Sequence, residues 1–395
     1  MNTALLHKDV QDFINQNLSS DLTKLILKGS PFHNVSIQEI AIQIAAKKKS
    51  QKKLPSWFHT TNIYYPPKLN LEQTSSELTA NYKAKLMQGT SIIDITGGFG
   101  VDAFAFSKNF QKVVHCEINK ELSQIASHNF KQLNASNITT LCNDGVQYLN
   151  HSKDPFDGIY IDPSRRQEHK GRVFLLEDCQ PNVPSILEIL FSRSKTILIK
   201  TSPMLDISSA VRALHSVKEI HVIAVMGEVK ELLFLLKKHH SRPILIHTLN
   251  ILKNTTQYFS FRDNEQADSQ YDTPQKYLYE PNVAILKAGG FHHISKQLRV
   301  CKLHPQSHLY TSNQLLDFPG RSFQITHLLN YDKKKIKRLL PHQKANITTR
   351  NFPKTVQQIR KELQIKDGGD HYLFFTTTIK HQRLCIICKK NQKNH

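Results

Sequence analysis

Within one turn, Asp94-Ile95-Thr96-Gly97-Gly98-Phe99-Gly100 combines an acid, a hydroxyl and three glycines. Glycines let a backbone turn sharply and approach a ligand closely, and an acid beside them offers acceptors. The chemistry this permits is narrow. A phosphate-binding P-loop needs Lys and then Ser or Thr after its last glycine, where this chain has Val101 and Asp102. A G-x-G-x-x-G dinucleotide fingerprint is not met, and Asp94 would repel a pyrophosphate. The acid suits a cationic nucleoside without phosphates. Glu117 stands 23 positions after Asp94, close to the roughly 20-residue separation at which a ribose-binding carboxylate follows a glycine loop, so it is expected on ribose hydroxyls. Two further acids, Asp144 and Asp162, follow later apolar runs in the same way.

Acids in such a series need strand ends to hold them. Ile92, Ile93 and Ile95 suit a buried parallel strand, and Val101 to Phe106 has helical spacing. Lys112 to Glu117, Asn137 to Cys142 and Asp157 to Ile161 read as the next strands, the last running into Asp162-Pro163-Ser164-Arg165-Arg166. Open α/β sheets place ligands at the carboxyl ends of their strands, where these acids fall. A helix through Val183 to Phe191 and strands at Lys195 to Lys200 and Ile220 to Met226 continue the pattern. Pro243 to His247 is expected as an antiparallel seventh strand. The fold class is therefore α/β with a Rossmann-like parallel sheet. Ahead of it, Met1 to Ser50 reads as a helical cap, and Leu71 to Met87 as a helix with Ser75 or Ser76 as its N-cap. Beyond it, Gln257 to Tyr279 is strand-like and Ala284 to Leu298 helical. Strands and helices then alternate from Ser322 to Lys389.

The chain has 395 residues, enough for two to four domains. No secretory leader or long apolar span stands out, so a soluble cytoplasmic protein is expected. Cys116 and Cys142 fall in strands expected to be buried. Cys385 and Cys388 form the only C-x-x-C, which cannot complete a four-ligand zinc site, so reduced structural thiols and no metal are expected. Of the net charge of +21, Leu86 to Lys230 contributes nothing, with 15 Lys/Arg against 15 Asp/Glu. Arg321 to His395 holds 17 against 4, the footprint of a nucleic-acid-binding module. Phosphate contacts are expected from Lys333, Lys334, Lys335, Lys337 and Arg338, with Lys344, Arg350 and Lys354 beside them. The rival reading makes this tail a solubilising or oligomerising domain on an enzyme for a protein or small molecule.

Asp94-x-Thr96-x-Gly98-x-Gly100 resembles the first motif of class I S-adenosylmethionine (SAM) methyltransferases, with Thr96 where the commonest version has glycine. LEQTSSELTANYKAKL, DITGGFGVDA, IDPSRR, IKTSPMLDI, YLYEPNVAILKAG and ANITTRNFP extend the likeness over nearly the whole chain. They resemble a bacterial family with a ferredoxin-like segment and a C-terminal THUMP-like domain. The resemblance implies SAM as cofactor, with contacts from Asp94, Thr96, Gly97, Gly98, Gly100, Asp102, Glu117, Asn119, Asp144, Gly145, Gln73 and Thr74. Asp144 would lie near the adenine amino group. It also implies a helical region at 1–85, the methyltransferase domain at 86–250, a ferredoxin-like segment at 251–320 and a basic THUMP-like RNA-binding domain at 321–395. The partner it implies is a structured RNA, tRNA or rRNA.

At Asp162-Pro163-Ser164-Arg165 the chemistry stays open. Amino-group methyltransferases place an acid or amide, two prolines and an aromatic here, and Ser164 and Arg165 depart from that. Pyrimidine C5 chemistry needs a thiolate, for which only Cys179 offers itself. Ribose 2'-hydroxyl methyltransferases carry a Lys-Asp-Lys-Glu tetrad, and Lys83, Asp162, Lys200 and Glu228 stand at similar places. A base nitrogen oriented by Asp162 is the first expectation and ribose oxygen the second.

Overall fold

The structure is a computed structural model that describes residues 1–66, 72–165, 175–340 and 343–391. Arg166 lies outside the described residues. The chain forms two compact units, Met1–Lys218 with Leu233–Ser241, and Glu219–Leu232 with Arg242–His395.

In the first unit the expected strands form β1 (Ser91–Asp94), β2 (Lys112–Cys116), β3 (Ile138–Leu141), β4 (Gly158–Ile161) and β5 (Thr196–Thr201). All are parallel in the order β5-β4-β1-β2-β3. The central strands β1, β4 and β5 are buried on both faces, as a covered parallel sheet requires: Ile92, Ile93, Ile159, Ile161, Ile197, Leu198 and Ile199 are all fully buried. Cys142 falls just past the end of β3 and is exposed, contrary to expectation, because the strand stops at Leu141. The N-terminal cap is helical, its longest helix Ile37–Lys53 being started by a capping box of Ser36 and Glu39. Trp57 anchors the cap on the glycine-rich segment, its ring 4.6 Å from Phe99 and 5.8 Å from Phe104. Ser76 caps the helix Glu77–Leu86.

The seventh strand differs from expectation. A two-residue turn at Met226-Gly227 joins β6 (Val217–Val225) to β7 (Glu228–Lys237) as a hairpin, so β7 is the antiparallel strand. Pro243 to His247 instead opens β8 (Leu245–Ile251), which pairs parallel with β6 and antiparallel with β9 (Thr256–Arg262). Sequence pattern conceals β7, since Leu232 to Leu236 are all buried and no polar alternation marks a strand.

The second unit continues with β10 (Tyr277–Pro281), β11 (Cys301–Lys302), β12 (Tyr310–Ser312), β13 (Gly320–Asn330), β14 (Asn346–Arg350), β15 (His371–Thr377) and β16 (Arg383–Lys390). They form one sheet in the order β11-β12-β10-β13-β16-β15-β14. The helical run expected from Ala284 is broken at Gly289-Gly290 into Val283–Ala288 and Phe291–Leu298. One face of the sheet packs Cys385 with Ile336, Ile359 and Leu363 of two helices; Cys388 belongs to the separate core on the other face. Residues i and i+3 of a strand point oppositely, so this C-x-x-C cannot chelate. Among the described residues no helix is long and apolar enough to cross a membrane.

Candidate cofactor and catalytic site

Asp94 ends β1 almost completely buried, and its carboxylate accepts from the Thr96 amide at 3.0 Å and the Thr96 hydroxyl at 3.3 Å. The Thr96 hydroxyl oxygen in turn accepts from the Asp162 amide at 2.7 Å. Threonine in place of glycine thus ties the first motif to the end of β4, a link that glycine could not make. Gly98 and Gly100 take left-handed φ of 56° and 90°, the latter opening the helix Val101–Ser107. Gly97 is needed for space instead: a Cβ there would stand 2.3 Å from His115 Nε2. His115 projects from β2 beneath the loop, fully buried, with its pKa lowered to about 4 by burial. Sequence reasoning missed it, although its place two residues before Glu117 turns it to the side of the loop.

Glu117 crosses to the same loop. Its carboxylate accepts from the Gly98 amide at 2.8 Å and the Asn119 amide at 2.7 Å. Asn119 caps the helix Lys120–Gln132. Asp144 caps the helix Gly145–His151 by accepting from Val146 and Gln147 amides at 2.8 and 3.0 Å through Oδ1. A Cβ on Gly145 would meet the Ile95 carbonyl at 2.4 Å, so glycine lets this strand end close on the motif.

Asp102 faces a buried ammonium. Lys83 Nζ lies 3.1 Å from Asp102 Oδ1, while the Ser75 and Tyr160 hydroxyls donate to Oδ2 at 2.8 and 2.9 Å. Lys83 has no exposed surface, and its Nζ also donates to Ser75 at 2.7 Å. Burial alone would raise the Asp102 carboxyl, but Lys83, Lys200 and the Ser75 hydroxyl bring it below its ordinary value. Of the segment before this helix, Ser75 reaches the site; Gln73 is exposed and the Thr74 hydroxyl donates to the Ser75 carbonyl. At the end of β5, Lys200 forms an ion pair with Asp162. Glu228, exposed at the start of β7 in the second unit, pairs with Lys230 at 2.6 Å.

The charges of Asp102 and Asp162 both act on Asp94, while the ammonium groups of Lys83 and Lys200 act on Asp102. Asp94 bears the imbalance. Burial first, then the charges of Asp102 and Asp162, push its carboxyl well above the ordinary value against the Thr96 hydrogen bonds. A cationic ligand would relieve this. The face of the loop at Gly98 is open to one, since a Cβ there would meet nothing nearer than the Thr96 carbonyl at 3.8 Å. The methionine ammonium and sulfonium of SAM would suit such a site, and Glu117 would be the residue to hold the ribose.

The basic residues of the tail are partly committed. Asp332 caps the helix Lys333–Arg338. Lys333 and Lys354 meet Glu362 at 3.1 and 2.8 Å and, with the Tyr331 hydroxyl, lower its pKa to about 2, Lys354 contributing most. Lys337 donates to Gln364 at 2.7 Å. Arg350 and Arg321 share the buried Glu280 carboxylate. Lys334, Lys335, Arg338 and Lys344 are exposed.

Family models match residues 320–390 as THUMP domain-like, 277–319 as a ferredoxin-like domain and 60–167 as protein-L-isoaspartate(D-aspartate) O-methyltransferase. A crystal structure described as that of a candidate methyltransferase from Porphyromonas gingivalis W83 is 30% identical, with a TM-score of 0.88, and the match covers 99% of both chains. A tRNA (guanine(26)-N(2))-dimethyltransferase from Methanosphaera stadtmanae is 30% identical over 105 residues, so the chain spans 27% of that relative's length. The fold and the site define a class I, SAM-dependent methyltransferase. The chain belongs to the bacterial family of these enzymes that carries a ferredoxin-like segment and a THUMP-like C-terminal domain.

Proposed function

We propose that this protein methylates a base nitrogen of a structured RNA, tRNA or rRNA, within the division of labour set out above: cap at 1–85, catalysis at 86–250, ferredoxin-like segment at 251–320 and RNA docking at 321–395. The observation that carries the choice of nitrogen is Asp162, held at the end of β4 by the hydrogen bond its backbone amide donates to the Thr96 hydroxyl. An exocyclic amine needs orientation above all, and a held carboxylate accepts its hydrogens while the lone pair faces the methyl donor. When bound, SAM supplies that methyl group on a sulfonium. Ribose oxygen is the second reading, because Lys200 could cradle a forming alkoxide. Against it, Lys83, the first member of the tetrad, is drawn into the buried pair with Asp102. RNA as substrate rests on the basic THUMP-like region and on the stretch shared with a tRNA methyltransferase.

Lys200→Ala, in protein that still binds SAM, separates the two readings. A turnover change below about tenfold is expected for nitrogen; a loss of several orders of magnitude would establish the ribose reading instead. Nucleoside mass spectrometry of RNA from cells lacking the gene identifies the modified position.

A further inference from the structure

The second unit carries a cluster that methyl transfer leaves unused. Glu219 and His221 are two residues apart on β6 and so share one face of the sheet, and β8 places His247 directly opposite His221. The two imidazoles stack, centroids 4.5 Å apart at 13°. One Glu219 oxygen lies 3.3 Å from His221 Nε2 and 3.8 Å from His247 Nε2. The donor atoms of all three side chains lie within 4.8 Å of one another. We propose that Glu219, His221 and His247 bind a divalent transition-metal ion of the zinc class.

Two of the donor separations, 3.3 and 3.8 Å, are near those of such an ion. Donors on a tetrahedral zinc with bonds of about 2.0–2.2 Å stand roughly 3.3–3.6 Å from one another. At 3.8 Å the His247 contact is too long for a hydrogen bond, and binding an ion would draw it in and rotate the stacked imidazoles out of parallel. His247 has its second nitrogen anchored, with Nδ1 2.5 Å from the Tyr258 hydroxyl on β9. In the tautomer with Nδ1–H donating to that oxygen, Nε2 keeps the lone pair a metal would take, as outer partners of metal-bound histidines arrange. Side-chain exposure is 3% for His221, 15% for His247 and 18% for Glu219, so the cluster borders solvent through His247 and Glu219, from which a water would complete the ion's ligands. Two imidazoles and one carboxylate select zinc-like ions over magnesium. Because β6 and β8 both contribute ligands, the ion would cross-link neighbouring strands.

The test uses the full chain, Zn2+ alone and a chromophoric chelator in competition. The parent is expected to take up one equivalent that His247→Gln and Glu219→Gln bind at least about tenfold more weakly. Circular dichroism verifies that each variant is folded, and Mg2+ should not compete. If both folded variants bind Zn2+ with the parent's affinity and stoichiometry, the site is refuted. Neither result depends on whether RNA is the substrate.

Discussion

Gly97→Ala isolates the steric logic of the cofactor loop. The φ at Gly97 lies outside the left-handed region, so alanine meets no backbone penalty there; its methyl group would stand 2.3, 2.5 and 2.6 Å from three atoms of the His115 ring. His115 is fully buried against Phe130, ring centroids 5.4 Å apart, and has little room to yield. Overpacking of this kind costs about 1–3 kcal/mol, and it falls on the segment whose Gly98 amide is fixed to Glu117. If the loop gives way rather than the ring, SAM affinity drops by roughly 5- to 150-fold, read by calorimetry. The compensating change is His115→Ala, which removes the atoms that the new methyl would strike. The double variant should therefore bind SAM better than Gly97→Ala alone, with a coupling energy of about 1–3 kcal/mol in a double-mutant cycle. Purely additive losses would refute the clash.

Lys83→Met strips a buried carboxylate of its ammonium and should cost about 3–5 kcal/mol, part of it recovered by adding Asp102→Asn; Trp57, the chain's only tryptophan, reports the first unit's unfolding in guanidinium. Asp94, with its folded pKa raised, contributes stability that is full below its ordinary 3.8 and is lost as pH rises through the folded value. A SAM ammonium would favour the ionised form, so at a pH below the folded value binding should release a proton and show an enthalpy dependent on buffer ionisation, a dependence Asp94→Asn lessens. Lys334→Glu with Lys335→Glu should lessen the slope of log affinity for tRNA against log salt by about 1.4–1.8, as for two lost phosphate contacts; an unchanged slope would turn the tail reading toward a non-RNA substrate.

The first motif was legible because its residues are locally dictated: β-branched isoleucines make β1, glycines make the turn, and an acid caps each strand end. Each of the first four strands lies within a residue of its expected place. The polar network behind the motif was not legible, because Lys83, Asp102, Ser75 and Tyr160 meet through packing alone. Charge counting likewise marked the tail as basic but could not reveal that Glu362 and Glu280 engage Lys333, Lys354 and Arg350. The strand β7 was hidden by its uniform leucine run. Glu219-x-His221 left a faint trace, two ligand types on one strand face, but its third member required knowing that β8 runs parallel to β6.

The border between the ferredoxin-like and THUMP-like matches falls at 319/320, where β13 begins. That strand is hydrogen-bonded to β10 on one side, from Tyr277↔Gln324 to Pro281↔Gly320, and to β16 on the other. Glu280 of β10 additionally clasps Arg321 and Arg350. Gly320 itself sits so close to β10 that a Cβ would lie 2.1 Å from the Glu280 carbonyl. A chimaera joined at this border would pair β10 of one relative with β13 of another, breaking the matched side-chain contacts of one ladder. Residues 277–390 should therefore be inherited, exchanged and melted as a single piece, and recombination between relatives must carry both segments together.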